Sequence, residues 1–471
     1  MPCGNPRTLA RLELGTFPTD LVLPPGTKVL CRREPPALPT PEKAIVDALR
    51  HPLGALPLGD LYRRKVEQGK VSKSQERLGK VVIVLSDHTR PVPYKDSGNI
   101  LWPVVSELIS AGCPASDILL LVATGTHRVL SEEEIWAMVD SRVRECGAQV
   151  ACHDASKWEQ AIRVGKTAGG TEVYIDRRYV EADFRVLTGL VEPHSMAGAS
   201  GGRKSICPGL VDMRTIREFH GAEVVSHPLT TDLVLEGNPC HQLALEVARM
   251  AAPDFIVNVT LRRDKVLAGI FAGEMEQAHQ AAVEHLRQFA AIPIEEEYDV
   301  VVTHGGEVGV NFYQAEKATA IAARAARAGG YIVMVADTSD PDPLGPPSYR
   351  QLLALLAKWG PQKFVEHLLS PKWEFVEGQW AVHMRAKFLT KIPKEHLYYF
   401  SPQATSAEYE LLSASPWPFL AGTEGLTVAE QAACFVKRAV DYACAASEAE
   451  TGHKAKVAYL ADGPYGVVIR G

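Results

Sequence analysis

The chemistry of this chain is densest between residues 194 and 220. There His194 precedes Gly198, Gly201 and Gly202, which are followed by Arg203, Lys204, Pro208-Gly209 and His220. Glycines ahead of a basic pair let the backbone approach a ligand closely and turn amide N–H groups toward an anion such as a phosphate. The run G-A-S-G-G-R-K-S has the length of a P-loop, but Arg203 stands where its second glycine is required, and the run starts well after the preceding strand. Alone, G-G-R-K reads as a surface turn with solvated basic side chains. The flanking histidines ask for more, although a single histidine is more often structural than a ligand. Imidazole suits nickel, zinc, copper and iron, so a metal is admissible here without being identified.

Three further clusters carry candidate groups. Asp87, His88, Thr89 and Arg90 form S-D-H-T-R-P-V-P, His127 lies in T-G-T-H-R, and Gln314 and Lys317 lie in N-F-Y-Q-A-E-K. Arg90 offers a planar fork of donors, Lys317 a point charge and Gln314 a neutral donor, a set suited to holding a carboxylate. Gln314 and Lys317 are three apart on a predicted helix and share a face. The plainer readings are a turn aspartate for Asp87 and a solvated helix surface for the pair.

The elements that must position these groups are legible. V-V-I-V-L (81–85) reads as a strand buried on both faces, I-L-W-P-V-V-S-E-L-I-S-A-G as a helix ending at Gly112, and D-I-L-L-L-V-A as a second buried strand. Ser131 and Glu134 predict a capping box opening the next helix. F-R-V-L-T-G-L-V (184–191) runs into the glycine cluster. Each candidate cluster therefore follows the carboxyl end of a strand, where open α/β sheets bind ligands. The acidic stretch from Ile292 to Glu297 precedes Y-D-V-V-V-T-H-G-G, a helix from about Tyr313 to Ala328 and the strand Y-I-V-M-V-A-D. The expectation is an α/β protein of two domains with mainly parallel Rossmann-like sheets and a ligand cleft between them. Its parts are a cofactor-binding domain over 1–294, a substrate domain over 295–420, and a helix and strand over 421–471 that return to the first domain.

Composition narrows the class. The 471 residues are 46% hydrophobic and 23% charged, with a net charge of −6, which gives no reason to expect a nucleic-acid partner. Nine scattered cysteines without a C-x-x-C pair favour reduced thiols. No basic segment followed by an apolar run opens the chain and no stretch has the length of a membrane-spanning helix, so a cytoplasmic location without membrane partners is expected.

P-H-S-M-A-G-A-S-G-G-R-K-S-I-C-P-G followed by T-I-R-E-F-H closely resembles the signature of the nickel-pincer-dependent lactate racemase family. S-D-H-T-R-P-V-P, T-G-T-H-R and N-F-Y-Q-A-E-K resemble that family's cofactor loop, first catalytic histidine motif and substrate-carboxylate motif, in family order over residues 86–317. The resemblance implies a racemase or epimerase of a 2-hydroxy acid. It implies that Lys204 carries, through a thioamide, a nickel-pincer nucleotide (pyridinium-3,5-bisthiocarboxylic acid mononucleotide nickel complex), with His220 completing the nickel coordination. Asp87, His88, Thr89 and Arg90 would contact the cofactor, His127 and His194 would be the paired acid/base groups, and Arg90, Gln314 and Lys317 would hold the substrate. The implied partners are a small 2-hydroxy acid and the enzymes that make and load the cofactor.

The chemistry fits these types. The C2 hydrogen of a 2-hydroxy acid is barely acidic, so its removal as hydride, while a base takes the hydroxyl proton, avoids a carbanion. One base is needed for each configuration, and histidine works near neutrality in both directions. The sequence departs from the simplest family members in extra residues before Val81 and between 338 and 420, and in the bulky, titratable His88. These leave lactate, malate, an aromatic 2-hydroxy acid or a sugar acid as possible substrates. A P-loop-like phosphotransferase and a nucleotide- or metal-binding carrier are the competing readings. A carrier needs neither two bases nor a carboxylate clamp.

Overall fold

The computed structural model describes residues 9–12, 18–71 and 79–470; Cys3 and most of the opening segment lie outside them. The chain divides into two compact units, Glu34–Phe289 on one hand and Met1–Arg33 with Ala290–Gly471 on the other.

The first unit is built on a six-stranded sheet. Its order is Leu267–Gly273, Phe255–Leu261, Phe184–Leu190, Val81–Ser86, Ile118–Ala123 and Gln149–Cys152. All neighbours are parallel except Leu267–Gly273, which runs antiparallel at one edge. Val81 to Leu85 and Ile118 to Val122 are buried throughout, as continuous apolar runs covered on both faces require. The helix Leu101–Ser110 buries Leu101, Val104, Val105 and Leu108, one face at i, i+3, i+4 and i+7. Burying each of these side chains is worth about 1.5–3 kcal/mol. The expected capping box is present: Ser131 Oγ accepts from Glu134 N, and Glu134 Oε2 accepts from Ser131 N. From Val81–Ser86 the chain builds outward to Ile118–Ala123 and Gln149–Cys152, then crosses to Phe184–Leu190 on the other side. The sheet thus has a switch point between Val81–Ser86 and Phe184–Leu190, at whose carboxyl ends ligands bind in such folds.

The second unit carries a five-stranded parallel sheet, ordered Leu397–Phe400, Ala326–Val335, Tyr298–His304, Val457–Leu460 and Lys28–Leu30. Asn311 caps the helix Phe312–Ala325, which ends earlier than expected because Ala326 already pairs with Tyr298 in the sheet. Between 338 and 420 the chain is mainly helical apart from the strand Leu397–Phe400, with helices that include Pro347–Trp359, Pro361–Leu368 and Gln379–Leu389.

Two expectations about domain limits are corrected. Residues 421–471 do not return to the first unit: Val457–Leu460 pairs with Tyr298–His304, and the helix Val428–Thr451 buries Phe435, Val436, Ala439 and Val440 against that sheet. Residues 1–33 do not belong to the first unit either, because Lys28–Leu30 adds to the far side of Val457–Leu460. Among the described residues no helix is long and apolar enough to cross a membrane, and the eight described cysteines are free thiols.

Candidate active site

Three adjacent strand ends of the first unit present the candidate groups. Asp87 follows Val81–Ser86, His127 lies in the turn after Ile118–Ala123, and the 191–205 segment follows Phe184–Leu190. The turns are tied together, since Gly125 N donates to Gly209 O and Gly209 N to Lys204 O.

Asp87 and His127 form a dyad. His127 Nδ1 donates to Asp87 Oδ2 at 2.6 Å, and Oδ1 accepts from the amide (2.9 Å) and hydroxyl (2.5 Å) of Thr89. Burial would raise the Asp87 carboxyl, but the bond and charge of His127 and the two bonds from Thr89 outweigh it and hold the pKa at about 2. An ionised Asp87 only accepts, so the proton of a neutral His127 sits on Nδ1, and Nε2 is left as the basic nitrogen. Arg128 steadies this turn from the next residue through two bonds to Glu134 (3.0 and 2.6 Å). Arg90 is held by an ion pair of Nε with Glu192 at 2.9 Å and by a bond from Nη1 to Thr89 O. His88 is exposed and makes no described hydrogen bond in this network.

The glycine segment folds as a short antiparallel pair, Pro193–His194 with Gly198–Ala199, and then a 3-10 turn, Gly202–Ser205. No helix follows the glycines as it does in a P-loop, and Arg203 is buried beneath the turn. Gly201 has φ 74°, and a Cβ there would stand 2.7 Å from Val191 Cγ2. Asn258 Oδ1 accepts from Gly202 N at 3.0 Å, so a polar residue in a mostly apolar strand anchors the turn that carries Lys204.

His194 and Lys204 meet at 3.0 Å, Nε2 to Nζ. His194 Nδ1 accepts from Met196 N (3.2 Å) and Ala197 N (3.1 Å), which places the proton of the neutral ring on Nε2. Lys204 must then receive that N–H on its lone pair, as a neutral amine. Burial, followed by the nearby charge of Arg90, pushes the lysine down to about 7, in agreement with this assignment. His220 ends the helix Met213–Phe219 and is buried edge-on to Phe219. Burial first, then the charges of Lys204 and His127, lower its pKa to about 3, so the ring is neutral and fit to bind a metal.

The structure thus gathers Asp87, Thr89, Arg90, His127, His194, Lys204 and His220 in one unit. Gln314 and Lys317 belong to the other unit, where Lys317 Nζ donates to Gln314 Oε1 at 2.6 Å across the first two turns of Phe312–Ala325. Three contributors are not among the residues singled out in the sequence: Glu192, which aims Arg90, Asn258, and His279, which touches Arg203. Among the described residues no group of three or more His, Cys, Asp or Glu side chains is placed to hold a metal.

Comparison with known proteins bears on this geometry. Residues 15–232 match the family described as the lactate racemase N-terminal domain. The chain is 29% identical over 350 residues to a lactate racemase from Lactiplantibacillus plantarum, covering 74% of this chain and 77% of that protein. It is 32% identical over 300 residues to a lactate racemase from Thermoanaerobacterium thermosaccharolyticum, covering 64% of this chain and 66% of the relative. The solved structure of a lactate racemase apoprotein from the latter organism shares the fold, with a TM-score of 0.80 at 24% identity over 98% of this chain and 99% of that one.

Proposed function

The chain belongs to the lactate racemase family and is an isomerase, and from that premise we propose that it interconverts the two configurations of a small 2-hydroxy acid, lactate or a close relative, using a nickel-pincer nucleotide attached at Lys204. The observation that carries this reading is the state of Lys204: a half-buried lysine facing the N–H of His194, with the neutral imidazole of His220 in the same unit. An amine is the form that makes a thioamide.

When bound, the cofactor supplies a reversible acceptor for the C2 hydride. The residues of the chain do the rest. Lys204 holds the organic group, and His220 adds one nitrogen to the nickel. His127 takes the hydroxyl proton on Nε2, and the ionised Asp87 behind it stabilises the imidazolium that results. Arg90, already aimed by Glu192, serves the substrate carboxylate. His194 is the second acid/base group. Attachment at Lys204 consumes the amine it faces, and to become an imidazolium its ring must displace the two backbone N–H groups at Nδ1. The two histidines are therefore unequal in the chain without cofactor. The partners of this reading are the substrate and the cytoplasmic enzymes that make and load the cofactor.

Intact mass and a peptide map of protein from a host with the cofactor pathway test the proposal. We expect an adduct on Lys204 that is lost, with activity, in Lys204→Ala. An adduct persisting on another lysine sinks the assignment. His220→Ala is expected to lose nickel while keeping the organic adduct, and unchanged nickel content removes His220 from the coordination sphere.

A further inference from the structure

Arg203 is among the most buried large side chains of the protein, 1% exposed, and among the described residues no carboxylate pairs with it. Burial lowers its pKa only to about 10, so it remains a cation near neutrality. Its charge is met by carbonyls and one imidazole: Nη2 donates to Ala197 O (2.7 Å) and Ala199 O (3.0 Å), and Nη1 donates to His279 Nε2 (2.7 Å). A guanidinium has no lone pair to offer, so His279 Nε2 is the acceptor and carries no proton. Ser200 O, 2.9 Å from the same nitrogen, then has no hydrogen to share with it. His279 projects from the helix Met275–Ala290, and its ring lies under Gly202, where a Cβ would come within 2.7 Å of it.

These contacts continue to the site. Ala197 accepts from Arg203 through its carbonyl and donates from its amide to His194 Nδ1; that bond, with the one from Met196, fixes the N–H of His194 on the nitrogen facing Lys204. We propose that Arg203 and His279 are positioning residues which, through Ala197, set the tautomer of His194 and thereby the form and aim of Lys204. The inference rests on the reading of Lys204 as the attachment point, but the relay is a property of the chain without cofactor. An uncompensated buried cation is expensive, and its retention beneath this turn is understandable if the geometry it enforces is needed. A guanidinium fork bridging two carbonyls defines the 197–199 backbone in a way that a lysine does not.

The test uses the full chain without cofactor. In 15N spectra of histidine-labelled wild type, His194 is expected to show an unprotonated Nδ1 and a protonated Nε2. Trace acetylation with acetic anhydride, read by peptide map, reports the accessibility of Lys204 as an amine. In His279→Leu the tautomer preference of His194 should be lost and Lys204 labelling should change by about tenfold or more, the scale on which small misplacements act. His279→Gln, which restores an acceptor for Arg203, should recover both readouts. A folded His279→Leu with wild-type His194 spectra and labelling within about twofold overturns the proposal, whatever its thermal stability, because loss of packing alone lowers Tm without moving a tautomer. Should His279→Leu not fold, Arg203→Lys is the deciding variant: the same changes support the relay and unchanged spectra refute it. Neither readout requires cofactor, so failure here is separable from failure to find an adduct on Lys204.

Discussion

At the scale of single residues, the most consequential finding is that the two acid/base candidates are held differently. His127 has a carboxylate behind it, whereas His194 has two backbone N–H groups. Replacing Asp87 with Asn leaves a neutral group that no longer dictates the proton on Nδ1 of His127 or stabilises its imidazolium. We expect kcat to fall by about 10² to 10⁴ with KM nearly unchanged, measured by steady-state racemisation; a loss confined to KM contradicts the assigned role. Asp87 also links stability to pH. Its folded pKa, about 2, lies below the ordinary 3.8, so its contribution is fully present above pH 4 and fades as pH falls through 2. That contribution is on the order of 2 kcal/mol, and acid titration of Asp87→Asn by circular dichroism should show a correspondingly shallower loss of stability below pH 4. The candidate groups were legible in the sequence because histidine, lysine and arginine stood beside strand ends. The Asp87–His127 pairing was not, since the partners lie forty residues apart and only strand order brings their turns together.

At the scale of elements, the glycine segment owes its shape to steric exclusion. Gly198 has φ 78°, and a Cβ there would fall on the carbonyl of Val234. Gly198→Ala should therefore destabilise the first unit by about 3 kcal/mol or more, read as a drop in urea midpoint without a change in slope. Ser131→Ala removes one half of a capping box at the surface and should cost only about 1 kcal/mol. A result in the opposite order would mean that the turn around Gly198 is adaptable. Strands, helices and this cap followed from periodicity and capping types, because each depends on neighbours in sequence. Asn258 left a trace as well: a lone amide within F-I-V-N-V-T-L is costly to bury without a partner, and such a residue points to an anchoring bond. His279 left none, since a histidine on an amphipathic helix is ordinary and its partner lies 76 residues away.

At the scale of the whole molecule, the reaction itself is open to test. If hydride leaves C2 and returns to it, deuterium at C2 should slow turnover and stay on the carbon, whereas proton abstraction releases it to solvent. Mass spectrometry of the product distinguishes the two, and washout at the rate of racemisation refutes the hydride route. The assignments of 421–471 and of 1–33 were the parts of the domain reading that failed. A short apolar strand such as V-A-Y-L is compatible with any parallel sheet, and parallel sheets are not ordered along the chain. Its observed place, between Tyr298–His304 and Lys28–Leu30, predicts that truncation after residue 420 leaves the second unit unable to fold, while a fragment spanning 34–289 keeps its own sheet and a cooperative melt. Hydrogen exchange on the two fragments checks both statements.

The pairing of Lys28 with Ala458 spans 430 residues, and this has a temporal consequence. On a ribosome adding about 5 to 20 residues per second, the strand Lys28–Leu30 waits about 20 to 90 s for its neighbour to be synthesised. Residues 34–289 form an uninterrupted stretch that emerges well before then. The unit bearing Lys204 can be finished while the other still lacks the centre of its sheet, so the nascent chain passes through a stage in which the half that carries Lys204 is complete and the remainder is not.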